Sequence, residues 1–285
     1  MVFKGKHLLF ILLLFLYSGL ACADAVSLTV SDKVVATAEY KSGESGKPLL
    51  IFIHGFLQTR SFSTVDRLFT ALHESGFPVL APTLSLGISN RAQALPCESI
   101  HTHSLDSDSK EIALWVNWAS EQGYEDIVLI GHSAGSVNIT AYLASGTHPA
   151  VKKTILISLT HYGSDRPAAL ETEDHARTAR SMVEQGDDGL GRFALAFCKE
   201  YVSTAENFLS YYRWSDRSII ETINASAIKN YVILGSADNR IGQEWLNSLQ
   251  SASTEVIVID GASHFFDESH EFDLLDNVED LLGTE

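Results

Sequence analysis

From residue 25 onward, apolar runs of strand length alternate with segments whose apolar residues recur at helical spacing. "AVSLTV" and "VVATAEY", joined at Ser31-Asp32-Lys33, read as two strands around a tight turn. "LLIFIH" (49–54), "FPVLAP" (77–82), "DIVLI" (126–130), "VKKTILISL" (151–159), "IKNYVILG" (228–235) and "EVIVID" (255–260) follow as short apolar runs. Runs without polar alternation are what strands buried on both faces require. Between them, 65–76, 106–123, 134–145, 241–249 and 271–282 place apolar residues on one helical face, and Gly76 and Gly123 stand where two of these helices stop.

Strands separated by helices predict an α/β architecture: a doubly wound, mostly parallel sheet with helices on both faces. The alternation lapses twice. Residues 84–105 have no periodic signal, and a loop this long in a compact domain is commonly functional. Residues 160–225 carry amphipathic pieces around 168–184, 192–202 and 205–214 but no clear strand, which predicts a helical cap inserted on the sheet. No linker composition flanks it, so residues 24–285 read as one domain.

The first residues stand apart from this pattern. Lys4 and Lys6 precede the apolar stretch 8–17, and small residues follow in "SGLACADA". A basic start, a short apolar segment and a small-residue cleavage site form a secretory signal, here residues 1–23, with cleavage before Asp24 or Val26. An uncleaved anchor and lipid attachment at Cys22 are the competing readings; "GLAC" matches a lipobox poorly. Loss of residues 1–23 removes two lysines and no acids, taking the formal charge from −16 to −18. A chain this acidic is repelled by phosphate backbones and anionic lipid, which argues against nucleic acid and membrane surfaces as partners. An exported chain keeping only Cys97 and Cys198 is expected to join them in a disulfide; two buried thiols are the alternative.

The densest chemistry lies at "LIGHSAG" (129–135), where a strand runs directly into a helix. A serine at such a crossing has its oxygen held out by a sharp turn, and the residues two before and two after must be tiny for strand and helix to approach. Gly131 and Gly135 meet that need around Ser133. In a parallel sheet, reactive groups gather beyond the carboxyl ends of the strands, where this turn lies.

"LIGHSAG", "IFIHGF" (51–56), "LGSAD" (234–238) and "GASHFF" (261–266) resemble, in that order, the marks of the α/β-hydrolase superfamily. The resemblance implies a chain order of nucleophile, acid and base. Ser133 corresponds to the nucleophile, Asp238 to the acid that orients the imidazole, and His264 to the general base. Asp165, just past the strand 151–159, is the rival for the acid, since some members draw it from that earlier strand. The resemblance also implies an oxyanion hole from the backbone N–H groups of Ala134 and Phe56, with His54 and Gly55 shaping the loop. No metal or organic cofactor is implied.

Weaker features are His101-Thr102-His103, a serviceable metal pair only on a strand and better read as a solvated or substrate-lining loop. The aromatics of 193–214 read chiefly as core. Asn138 and Asn224 match the glycan acceptor pattern, but Asn138 falls on the helix behind the nucleophile, where burial is expected. The expectation is an exported serine hydrolase acting on a small-molecule carboxylic ester through an acyl-enzyme. Amide, thioester and acyl-transfer chemistry on the same triad, or a non-catalytic binding protein retaining the fold, are the alternatives.

Overall fold

A computed structural model describes residues 24–163 and 169–283. Among these, the strands expected from the apolar runs form one eight-stranded sheet. In chain order they are β1 (Asp24–Ser31), β2 (Val34–Lys41), β3 (Leu49–Ile53), β4 (Val79–Thr83), β6 (Ile127–His132), β7 (Val151–Ile157), β10 (Lys229–Gly235) and β11 (Glu255–Ile259). The spatial order is β1-β2-β4-β3-β6-β7-β10-β11. β2 pairs antiparallel with both β1 and β4, and the strands from β4 to β11 run parallel.

The apolar runs are explained by where these strands sit. β3 and β6 are buried at every position, with side chains alternating between two separate cores. Leu49, Ile51 and Ile53 face one core with Leu129 and Leu156. Leu50 and Phe52 face the other with Val128 and Ile130. The first core is closed by α2 (Leu105–Glu121) and α3 (Ala134–Ser145), through Ile112, Trp115, Val137 and Tyr142. α7 (Gln243–Gln250) adds Trp245 and Leu249 to that first core, and the second is closed by α1 (Ser63–Glu74) and α8 (His270–Gly283), through Leu68, Phe69, Leu72, Leu274 and Val278. α2 starts on a capping box in which the side chains of Ser104 and Ser107 satisfy each other's backbone N–H groups.

The insertion departs from the expected all-helical cap. α4 (Ala169–Glu184), α5 (Ala205–Tyr212) and α6 (Asp216–Ala225) are helical, but 192–202, expected as an amphipathic helix, lies in a hairpin. β8 (Leu190–Leu195) pairs antiparallel with β9 (Cys198–Thr204), and β9 also pairs with β5 (Ile100–His101) from the long loop. The run Phe193–Phe197 is apolar without a break, so it carries no period to separate helix from strand. Burial resolves it: Phe193, Leu195 and Tyr201 point inward at the period of two that a strand imposes.

Cys97 and Cys198 form a disulfide that ties this hairpin to the long loop. Asn138 is buried and Asn224 is exposed at the surface. The leader with Cys22, and the rival acid Asp165, lie outside the described residues. Among those residues no helix is long and apolar enough to cross a membrane.

Candidate active site

Ser133 occupies the turn between β6 and α3 with φ 56° and ψ −121°, a conformation that costs an L-residue energy and persists only when its surroundings impose it. They do so on both sides. The Ser133 N–H donates to the Ile157 carbonyl at 2.8 Å, and Ser136 Oγ donates to the carbonyls of Gly131 and Ile157. A Cβ on Gly131 would stand 2.6 Å from Ser136 N, and one on Gly135 would stand 2.2 Å from the Ile53 carbonyl oxygen. Both contacts are with backbone, which cannot swing aside, so only glycine lets α3 pass this close to β3 and β6.

His264 and Asp238 meet Ser133 from loops beyond β11 and β10. Ser133 Oγ lies 2.9 Å from His264 Nε2, and His264 Nδ1 lies 2.6 Å from Asp238 Oδ2. With Nδ1–H donating to the carboxylate, Nε2 is left as the acceptor facing the serine hydroxyl. Asp238 Oδ1 accepts from the Arg240 N–H at 2.9 Å, so the carboxylate is held at both oxygens. The acid and the imidazole are almost completely removed from water.

His132, directly before Ser133, has a role that its motif position does not disclose. Its Nε2–H donates to the His264 carbonyl at 2.9 Å, and Ser158 Oγ donates to the same oxygen at 2.9 Å. The backbone beneath His264 is thereby fixed from β6 and from the end of β7. Burial pushes the His132 imidazole down to about 3, and the neighbouring His264 adds to that. It therefore works as a neutral donor.

The loop after β3 is anchored comparably. His54 Nδ1–H donates to the Gly55 carbonyl, and its Nε2 accepts from the Leu84 N–H at 3.0 Å and from Arg91 Nη2 at 3.2 Å. Burial, reinforced by the Arg91 charge, lowers His54 to about 3. The buried Arg91 guanidinium also donates to the carbonyls of Leu84, Gln93 and Gln58, joining residues 54–58 to the long loop. Nothing in the sequence distinguishes Arg91 from a surface arginine.

Behind Phe56 lies a second buried polar group. His103 Nδ1–H donates to Asp108 Oδ2 at 3.0 Å, the Tyr211 hydroxyl donates to the same oxygen, and the Tyr201 hydroxyl reaches His103 Nε2 at 3.3 Å. The His101 ring stacks on Tyr201 at 4.2 Å. Both histidines are thus interior, contrary to the solvated or substrate-lining loop expected for 101–103, because β9 and α5 supply aromatic side chains and α2 supplies a carboxylate. Among the described residues no group of three or more metal-ligating side chains is gathered. The Phe56 ring packs against Tyr162, Tyr201, Tyr211 and Phe197 at centroid distances of 5.7–6.1 Å.

Ser133 and His264 open into a cavity of about 460 Å³, bordered by Gly55, Phe56 and Ala134 on the sheet side and by Phe197 from the hairpin tip. That volume suits a small organic molecule.

The description "Alpha/beta hydrolase family" belongs to the family model that matches residues 50–276, a span running from β3 through His264 into α8. The chain belongs to the alpha/beta hydrolase family. A search of curated proteins returned no match. Among solved structures, the hydrolase is similar in fold to Est1E from Butyrivibrio proteoclasticus (TM-score 0.65, 16% identity, covering 90% of this chain and 97% of that one). It is likewise similar to a thermophilic esterase from Thermogutta terrifontis (TM-score 0.61, 17% identity, 91% and 98% covered). A third is the alpha/beta hydrolase GrgF from Penicillium sp. sh18 (TM-score 0.66, 15% identity, 92% and 98% covered).

Proposed function

We propose that this hydrolase is an exported serine esterase that cleaves a small-molecule carboxylic ester through an acyl-enzyme on Ser133. The observation that carries the reading is the continuous Ser133–His264–Asp238 relay, with contacts of 2.9 and 2.6 Å, on a serine held at positive φ beside an open cavity.

In this reading His264 Nε2 takes the proton as Ser133 Oγ attacks the ester carbonyl, and Asp238 stabilises the imidazolium that forms. The backbone N–H groups of Phe56 and Ala134 receive the oxyanion, and the second of these benefits from the positive end of α3. His264 then gives its proton to the departing alkoxide. Water, activated by the same nitrogen, releases the acid and returns Ser133 to its hydroxyl. Each oxyanion donor is worth roughly 100- to 1000-fold in kcat where comparable groups have been removed.

Residues 160–225 serve as the cap over this site, and residues 1–23 as a cleaved signal. The disulfide is consistent with an oxidising compartment. A structural relative, Est1E, is known with ferulic acid bound, which fits a small aromatic ester as a substrate class.

Hydrolysis of p-nitrophenyl esters of increasing acyl length tests this directly. Wild type is expected to turn over the short esters, and Ser133→Ala is expected to lose activity by at least about 1000-fold. Equal rates for the two proteins would remove Ser133 from the chemistry.

A further inference from the structure

The molecule carries a formal charge of −16, yet among the described residues no aspartate or glutamate lines the cavity at Ser133. Among the described residues the permanently charged side chain on its wall is Arg240, which shares that wall with Phe62, Phe197 and Phe265. Its guanidinium lies over the Phe265 ring, 4.7 Å from the centroid. Its backbone N–H is bonded to Asp238, which fixes where the side chain starts relative to the acid of the relay. No carboxylate among the described residues forms an ion pair with it.

A guanidinium braced on an aromatic face keeps its edge donors available for a planar bidentate partner. The Asp238 carboxylate is engaged by His264 and by the Arg240 backbone N–H, and at a cleft wall the exposed guanidinium concentrates anions that the rest of the surface repels. The aromatic walls accept an apolar or aromatic body between that cation and Ser133.

We propose that the site takes esters whose body is apolar or aromatic and whose far end carries a carboxylate, with Arg240 as the residue that selects for it. This rests on the esterase reading of the same site and adds to it the charge of the substrate.

The test uses the full mature chain and a fluorophosphonate probe, with 4-ethylbenzoate and its uncharged isostere 4-ethylbenzamide as protecting ligands. Labelling of wild type but not of Ser133→Ala supports the esterase reading; failure of wild type to label overturns that reading and this inference with it. Given labelling, the carboxylate is expected to protect at about tenfold lower concentration than the amide, a fold-change worth roughly 1.4 kcal/mol. The ratio is expected to fall to about one in Arg240→Gln and to be partly restored in Arg240→Lys. Equal protection by the two ligands in wild type, absence of protection by both, or a tenfold ratio that survives in Arg240→Gln would overturn the proposal while leaving the nucleophile in place. Thermal unfolding of both Arg240 variants at the wild-type temperature confirms that the ratio reports the side chain rather than the fold.

Discussion

Opening the Cys97–Cys198 bond is expected to cost this hydrolase a large part of its stability. The two cysteines are 101 residues apart in sequence, so the bond closes most of the central chain, from the long loop to the hairpin, into one ring. In the chain-entropy treatment, closing a ring of roughly 100 residues removes unfolded-state freedom worth about 4.7 kcal/mol at 25 °C. For a domain of this size each kcal/mol moves the unfolding temperature by roughly 2 °C or more, so the expected drop is about 10 °C. The assay is thermal unfolding followed by circular dichroism, comparing the oxidised protein, the same protein in dithiothreitol, and the Cys97→Ser/Cys198→Ser variant. The second and third are expected to coincide. Activity is expected to fall with them, because Cys198 follows Phe197 at the mouth of the cavity and Cys97 O accepts a hydrogen bond from His101 beneath the same hairpin. A drop below about 2 °C, with both thiols shown to be free, would refute the closure argument.

Three further outcomes are expected. His54 and His132 are held down to about 3 by burial, so the unfolded chain takes up their protons first and the stability present above pH 6.5 is lost as pH falls, by about 2 kcal/mol each between pH 7 and 5. Glu111, raised to about 7 by burial, acts with the opposite sign and offsets about 2 kcal/mol over that range, so urea unfolding should show a net loss in wild type and a steeper one in Glu111→Gln. A wild type that is more stable at pH 5 than at pH 7 would contradict the histidine assignments, and a Glu111→Gln variant with an unchanged pH dependence would contradict that of Glu111. Tyr211→Phe removes a donor to Asp108 behind Phe56, and kcat on a short p-nitrophenyl ester is expected to fall about fivefold with KM changed less than twofold; a rise in KM alone would place the aromatic group in binding rather than in setting the oxyanion loop. Asp238→Asn is expected to lower kcat by about four orders of magnitude while Asp165→Asn stays within about twofold of wild type, the reverse pattern making Asp165 the working acid.

The sheet was legible in the sequence because burial on both faces forces unbroken apolar runs, and the β3 and β6 runs are of that kind. Gly131 and Gly135 were legible for a steric reason: a Cβ at either position meets backbone. The hairpin of the cap was not, because Phe193–Phe197 is apolar throughout and the inward face is chosen only when β9 pairs with β5. Nor was the interior placement of His101 and His103, since their partners Asp108, Tyr201 and Tyr211 come from α2, β9 and α5. Arg91 and Arg240 look alike as letters. One is buried and spends its donors on backbone carbonyls, while the other lies over an aromatic ring at the cavity wall. The chemistry is local enough to leave motifs, whereas its support is assembled from distant segments and leaves none.

An esterase of this kind carries its acyl group on Ser133 between the two half-reactions. Intact-mass measurement during turnover of a p-nitrophenyl ester, quenched in acid within the first turnovers, detects that covalent intermediate. One added acyl mass per chain is expected, mapped to the peptide containing Ser133 and absent from Ser133→Ala. Steady turnover by wild type with the acyl group on another residue would contradict it.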